Sequence, residues 1–285
     1  MDILKTPREM HALSVRLRAS GKRIGLFPTL GALHEGHVSL LRRAREESDV
    51  CVMSLFVNPT QFGPNEDFEK YPRRFEQDCE IAAAQGCDVV FAPNREAMYP
   101  PGYSTFVEVE RVTETLCGAS RPGHFRGVAT VVLKLFNIVA PDIATFGQKD
   151  AQQVLMLKRM LTDLNVPVEI LVCPTVRERD GLALSSRNAY LTDEERVVAP
   201  ALYQGLQALR ERYDAGERGV PALKQAALDA YGKARLLRIE YLEAVDTTTV
   251  HPVDRVEGAV LVAVACRTSQ SNTRLIDNIT LGGEL

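Results

Sequence analysis

Between residues 23 and 172 one pattern repeats: a short, continuous apolar run, a turn, then a helix-periodic stretch. The runs Arg23 to Phe27, Val50 to Val57, Asp88 to Phe91, Asp142 to Phe146 and Val168 to Val172 have the length and β-branched content of buried strands. Helical periodicity separates them over about Gly36 to Asp49, Pro72 to Gln85, His124 to Val139 and Asp150 to Leu164. Alternating strands and helices demand crossover connections, so the sequence predicts an α/β fold: a Rossmann-like parallel sheet with helices on both faces. A helix precedes the series, opened by the capping box Thr6-Pro7-Arg8-Glu9 and closed near Gly21. Ser104 to Glu110 alternates strictly (STFVEVE) and predicts a strand with one exposed face.

The pattern changes near Thr175. A second capping box, Thr192-Asp193-Glu194-Glu195, opens a long helix toward Tyr213, and another helix spans about Val220 to Leu236. Three strand-like segments follow, Ile239 to Val245, Ala259 to Arg267 and Arg274 to Leu281. The expected organisation is therefore a larger domain over residues 1–175 and a smaller α+β domain over 176–285. The polar joint RERDGLALSSRN, residues 177–188, is expected to be a mobile active-site segment.

Composition excludes some classes. With 34 basic and 37 acidic residues the net charge is -3, which offers no basic field for nucleic acid or a membrane surface. No apolar run reaches membrane-spanning length and MDILKTPREM lacks a leader pattern, so the cytoplasm is the expected compartment. The six cysteines are scattered without a CxxC pair, which favours small buried hydrophobes over a zinc or redox site.

Four stretches carry chemistry. In PTLGALHEGH, residues 28–37, a strand, a glycine-bearing turn and a helix start place His34 and His37 where amide donors and the helix dipole favour an anion. Three readings stay open there: a polyphosphate site, two capping histidines, and metal ligation without HExxH spacing. FVNPTQFGPNEDFEKYPR, residues 56–73, places Asn58, Gln61 and Asn65 beyond a strand end, where amides suit a small hydroxylated or carboxylated substrate. FGQKDAQQ, residues 146–153, puts Lys149 near a helix start with Asp150 as its cap and Gln153 one turn on. Leu184-Ser185-Ser186-Arg187-Asn188 adds hydroxyls and a guanidinium in the joint, either closing on phosphates or forming a solvated loop.

These stretches, in this order and together with GHFRGVATVVLKLFNIVAPDIATFGQKDAQQ and VRERDGLALSSRNAYL, closely resemble the pantoate–β-alanine ligase (pantothenate synthetase) family. HEGH resembles the HIGH signature of a wider nucleotidyltransferase superfamily. The resemblance implies condensation of (R)-pantoate with β-alanine to pantothenate through pantoyl adenylate, with ATP as co-substrate and Mg2+ as cofactor. It implies ATP binding by Leu30, Gly31, Ala32, Leu33, His34, Glu35, Gly36 and His37 in the first stretch. Gly147, Gln148, Lys149 and Asp150 follow, then Val176, Leu184, Ser185, Ser186 and Arg187. His37, His34, Lys149, Ser185, Ser186 and Arg187 would stabilise charge in the reaction. Gln61 would contact pantoate and β-alanine, Gln153 pantoate, and Asp78 would neighbour magnesium. A homodimer, with no nucleic-acid or membrane partner, is also implied.

Two positions depart from the family pattern: Leu30 stands where methionine is common and Gln148 where glutamate is common. The competing readings are another HIGH-type transferase that stops after moving AMP, a non-catalytic ATP sensor, and a tRNA-linked synthetase lacking a basic appendage.

Overall fold

The structure, a computed structural model, describes residues 1–64 and 66–285; Asn65, expected in the substrate loop, lies outside the described residues. Contacts divide the chain into two compact units. The first comprises Met1–Glu110, Arg121–Gly147 and Met156–Cys173; the second comprises Arg111–Ser120, Gln148–Leu155 and Pro174–Leu285.

The first unit holds a six-stranded parallel sheet, as the alternation of elements requires. Its strands are β1 (Asp2–Leu4), β2 (Ile24–Thr29), β3 (Val50–Leu55), β4 (Val89–Phe91), β5 (Ile143–Gly147) and β6 (Glu169–Cys173). They lie in the order β1-β4-β3-β2-β5-β6, so the winding reverses between β2 and β5. β2 pairs with β3 over all six residues but with β5 only at Gly25 and Leu26. The β2–β5 pairing thus ends before Thr29, and ligands of open parallel sheets bind at such a reversal, beyond the carboxyl ends of the strands.

Helices α1 (Pro7–Ala19), α2 (Glu35–Glu46), α3 (Phe75–Ala84), α4 (Arg95–Met98) and α6 (His124–Val139) belong to this unit. The Thr6 capping box forms on both sides. α2 buries Val38, Leu41 and Ala44, spaced to lie on one stripe, and its Leu41 and Ala44 pack with Phe27 and Met53 of the sheet. All six cysteines are free and buried.

Residues 104–110 do not form the expected strand. The amide of Val107 goes to the Thr130 hydroxyl (2.9 Å), and the Arg126 guanidinium covers the Phe106 ring at 3.7 Å. The alternation is real, but among the described residues no neighbouring strand supplies a ladder.

The second unit contains α5 (Leu116–Ser120), the first turns of α7 (Ala151–Asp163), and α8 (Asp193–Val198), α9 (Ala201–Asp214) and α10 (Val220–Tyr231). It also contains an antiparallel sheet of β7 (Leu237–Asp246), β8 (Val260–Thr268) and β9 (Arg274–Leu281), with β9 at an edge. The long helix expected from Thr192 is two helices, because Pro200 offers no amide hydrogen and its ring obstructs the preceding turn. Leu202, Leu206 and Leu209 of α9 pack with Leu223 and Ala227 of α10 and Val262 and Val264 of β8. The helices cross so closely that a Cβ on Gly205 would collide with the Tyr231 ring.

Glu195 at the start of α8 is fully buried, yet its carboxylate accepts from Ser271 Oγ (2.5 Å), Ser271 N (2.8 Å), Gln270 N (2.7 Å) and Thr192 N (3.2 Å). Burial pushes its pKa up, but these donors outweigh burial and leave it at about 2, below the ordinary 4.5. A depressed carboxylate stabilises the fold above its unfolded pKa and loses that contribution as pH falls. Stability measured by urea denaturation should therefore drop between about pH 4.5 and about pH 2, and Glu195→Gln should flatten that slope.

Candidate active site

The histidines sit at the carboxyl end of β2, beside the winding reversal. Gly31 (φ +96°) and Ala32 (φ 55°) turn the chain through left-handed conformations, and His34 then takes the N-cap position of α2. Its ring does not cap the helix, so the two-capping-histidine reading does not describe His34. The His34 and His37 rings instead lie against each other, centroids 4.0 Å apart, with Phe27 6.1 Å from His37. Both are half-buried, while Glu35 points outward and pairs with Arg42 at 2.9 Å. Leu30, Leu33 and Gly36 are half-buried, and Gly31 and Ala32 are buried.

The turn's amides are not all available to a ligand. Asp78 of α3 is 1% exposed and its two oxygens accept from Ala32 N (2.9 Å) and Leu33 N (2.8 Å). Successive amides in such a turn form an anion-binding concavity, here filled by the protein's own carboxylate. A Cβ on Gly31 would stand 2.9 Å from Asp78 Oδ2. That contact, together with its positive φ, explains why glycine occupies position 31.

Gln61 belongs to a separate network of the same unit. Its side-chain oxygen accepts from Asn58 Nδ2 (3.0 Å), which also donates to Gly127 O (3.2 Å). Asn58 is 1% exposed, and its oxygen accepts from Tyr99 OH (2.9 Å) and Thr60 Oγ1 (3.0 Å). The Gln61 carbonyl meets His124 Nδ1 (2.8 Å) and accepts from Arg121 (3.3 Å), which grips Glu66 through two nitrogens. Burial raises the Glu66 pKa, but the Arg121 hydrogen bonds and charge win and hold it at about 2.

α6 lies directly on this loop. A Cβ on Gly127 would collide with Thr60 O and stand 2.6 Å from Gln61 N. Gly127→Ala should therefore displace the loop backbone at Thr60 and Gln61 and lower stability in urea denaturation by about 1–3 kcal/mol, the usual cost of overpacking. An unchanged denaturation midpoint would show that the loop yields to the added methyl group without cost.

In the second unit Gln148–Asp150 form a single 3-10 turn ahead of α7. Lys149 and Gln153 are half-buried and Asp150 is exposed. Neighbouring Gln152 is buried and accepts from Cys117 N (2.9 Å) while donating to Val112 O (3.0 Å) and Thr115 O (2.8 Å). The joint, residues 177–188, contains a hairpin. Arg177 pairs across it with Ala183, and Leu184 N donates to Val176 O (3.0 Å). Arg196 holds Glu178 and Asp180, each at 2.6 Å, and Ser185 caps the 3-10 turn Ser186–Tyr190 by accepting from Arg187 N.

The family model described as Pantoate-beta-alanine ligase matches residues 2–280. The chain belongs to the pantoate–β-alanine ligase family. It is similar to the pantothenate synthetase of Thermotoga neapolitana (54% identical, covering 99% of this chain and 100% of that one). The pantothenate synthetase of Moorella thermoacetica is 54% identical over 99% of both chains. Among solved structures, the Thermus thermophilus pantothenate synthetase superposes with a TM-score of 0.93 at 45% identity, covering 98% of this chain and 99% of that one. A Francisella tularensis pantoate–β-alanine ligase, complexed with β-γ ATP and β-alanine, gives 0.78 at 34% identity over 98% and 97%. The chain is accordingly a ligase of pantothenate biosynthesis.

Asn58 and Gln61 were accessible to sequence reasoning as amides past a strand end. Tyr99, Arg121 and Gln152 were not, since each acts through a contact distant in sequence.

Proposed function

We propose that this ligase activates pantoate by adenylation at the end of β2, with His34 and His37 opposing the charge that develops as pyrophosphate leaves. A pantoate carboxylate oxygen attacks the α-phosphorus of ATP and the bond to the β-phosphate oxygen breaks. The β-alanine amine then attacks the acyl carbon, the bond to the phosphate oxygen breaks, and AMP departs with that electron pair while the amine loses a proton. The observation that carries the reading is the imidazole pair at the α2 N-terminus beside the sheet's winding reversal, where the helix dipole favours anions. Such preorganised donors stabilise charge without reorganising at the moment of reaction.

Gln61 is assigned to pantoate and β-alanine and Gln153 to pantoate. Lys149, Ser185, Ser186 and Arg187 are assigned to the nucleotide's charge. Gly147, Gln148, Asp150, Val176 and Leu184 are assigned to the remainder of its binding. The residues present do not form a metal cage: among the described residues no group of three or more His, Cys, Asp or Glu could hold an ion, and both Asp78 oxygens hold the turn. Magnesium in this reading arrives on the nucleotide's phosphates, as a cation that keeps much of its water does, and Asp78 is a positioning residue.

A cytoplasmic homodimer completes the reading. No helix among the described residues is long and apolar enough to cross a membrane, and residues 104–110 leave an alternating segment with Phe106 38% exposed. Sedimentation at micromolar concentration should give twice the chain mass; a single-chain mass would contradict it.

The adenylate route is tested with pantoate carrying 18O in its carboxylate. One labelled oxygen should appear in AMP. Label in inorganic phosphate, with ADP formed, would replace the adenylate by an acyl phosphate.

A further inference from the structure

β9 reads RLIDNITL, and two of its central polar side chains are almost wholly buried: Asp277 is 3% exposed and Asn278 4%. Buried polar groups persist where their hydrogen-bonding capacity is used. Here the Asp277 carboxylate and the two Asn278 amide hydrogens are spent on two segments assigned above to ATP. Asp277 takes both Arg177 nitrogens, at 2.6 and 2.8 Å, and Arg177 also donates to Gly181 O (3.1 Å) and lies 3.6 Å over the Tyr203 ring. This fixes the hairpin between Val176 and Leu184. Asn278 gives its two Nδ2 hydrogens to Gln148 O and Lys149 O, each at 2.9 Å. Consecutive strand residues project to opposite faces, so one edge strand reaches both segments.

We propose that Asn278 is a positioning residue for the ATP-dependent step: by tying the carbonyls of Gln148 and Lys149 to β9 it fixes the backbone from which the Lys149 ammonium reaches phosphate. The proposal rests on the assignment of Lys149 to ATP. A lysine ammonium is a point charge on a flexible stem, so its placement depends on where its Cα is held. Only a side chain of this size with two hydrogens on one nitrogen can serve two successive carbonyls. Aspartate is isosteric but brings charge and no hydrogen against them.

The test uses the full chain with Asn278→Asp and Asn278→Ser, each alone and combined with Lys149→Ala. Pantoate-dependent pyrophosphate release and the melting temperature are measured. Asn278→Asp should raise the ATP KM or lower kcat by about ten- to a hundredfold, as misplacement near 1 Å does. It should leave the pantoate KM within about twofold and add almost nothing to the loss already caused by Lys149→Ala. Losses that add to that of Lys149→Ala, or equal rises in both KM values, would overturn the proposal. If Asn278→Asp fails to fold, the same cycle with Asn278→Ser decides by the same criteria. Should Lys149→Ala alone leave ATP-dependent release unchanged, the assignment of Lys149 to ATP fails and the proposal falls with it.

Discussion

Replacing His37 by alanine is expected to slow pantoate-dependent pyrophosphate release by about a hundred- to a thousandfold, the usual loss on removing one preorganised donor to developing charge. Pantoate affinity should change by less than about threefold, because an interaction made only in the transition state is absent from ground-state binding. The basis is geometric. His37 lies in the first turn of α2, its ring tilted against that of His34 with centroids 4.0 Å apart and 6.1 Å from that of Phe27, so the fold places it before any ligand arrives. Rapid-quench measurement of the first turnover separates adenylation from the later steps. A near-wild-type adenylation rate would remove His37 from the chemistry.

The second large effect is expected at Asp78. In Asp78→Asn one of the two turn amides keeps its acceptor while the other faces an amide hydrogen. Losing a charge-assisted bond and burying an opposed donor should cost about 2–4 kcal/mol of stability. The turn carries Leu30 to His34 into α2, so adenylation should also fall by about ten- to a hundredfold as its geometry loosens. Magnesium distinguishes the possible roles. If Asp78 acts on the turn, raising Mg2+ restores neither the melting temperature nor the rate. Rescue by Mg2+ would make the residue a metal neighbour, as the family resemblance alone implied.

The sequence made some elements legible because their causes are local. The boxes at Thr6 and Thr192 start helices because each threonine accepts from the amide three residues on while a glutamate answers back. The histidine pair was placed from a turn followed by helix periodicity, and the structure puts it there. STFVEVE failed for the converse reason. Alternation reports which faces are apolar but not whether a partner strand is near, and Val107 spends its amide on Thr130 instead. β1, only three residues long, carries too little pattern to be read. At the site, Gln61 was visible as an amide past a strand end, whereas Asp78 filling the turn spans 46 residues and Asn278 holding Gln148 spans 130. The one sign of the latter was a polar Asp-Asn pair between the apolar residues Leu275, Ile276 and Ile279.

Incubating the protein with Mg-ATP, with and without pantoate and β-alanine, tests the central claim most directly. The account predicts pyrophosphate only when pantoate is present, and free AMP with pantothenate only when β-alanine is added as well. ATP bound without any pantoate-triggered pyrophosphate, or ADP and inorganic phosphate in its place, would contradict it.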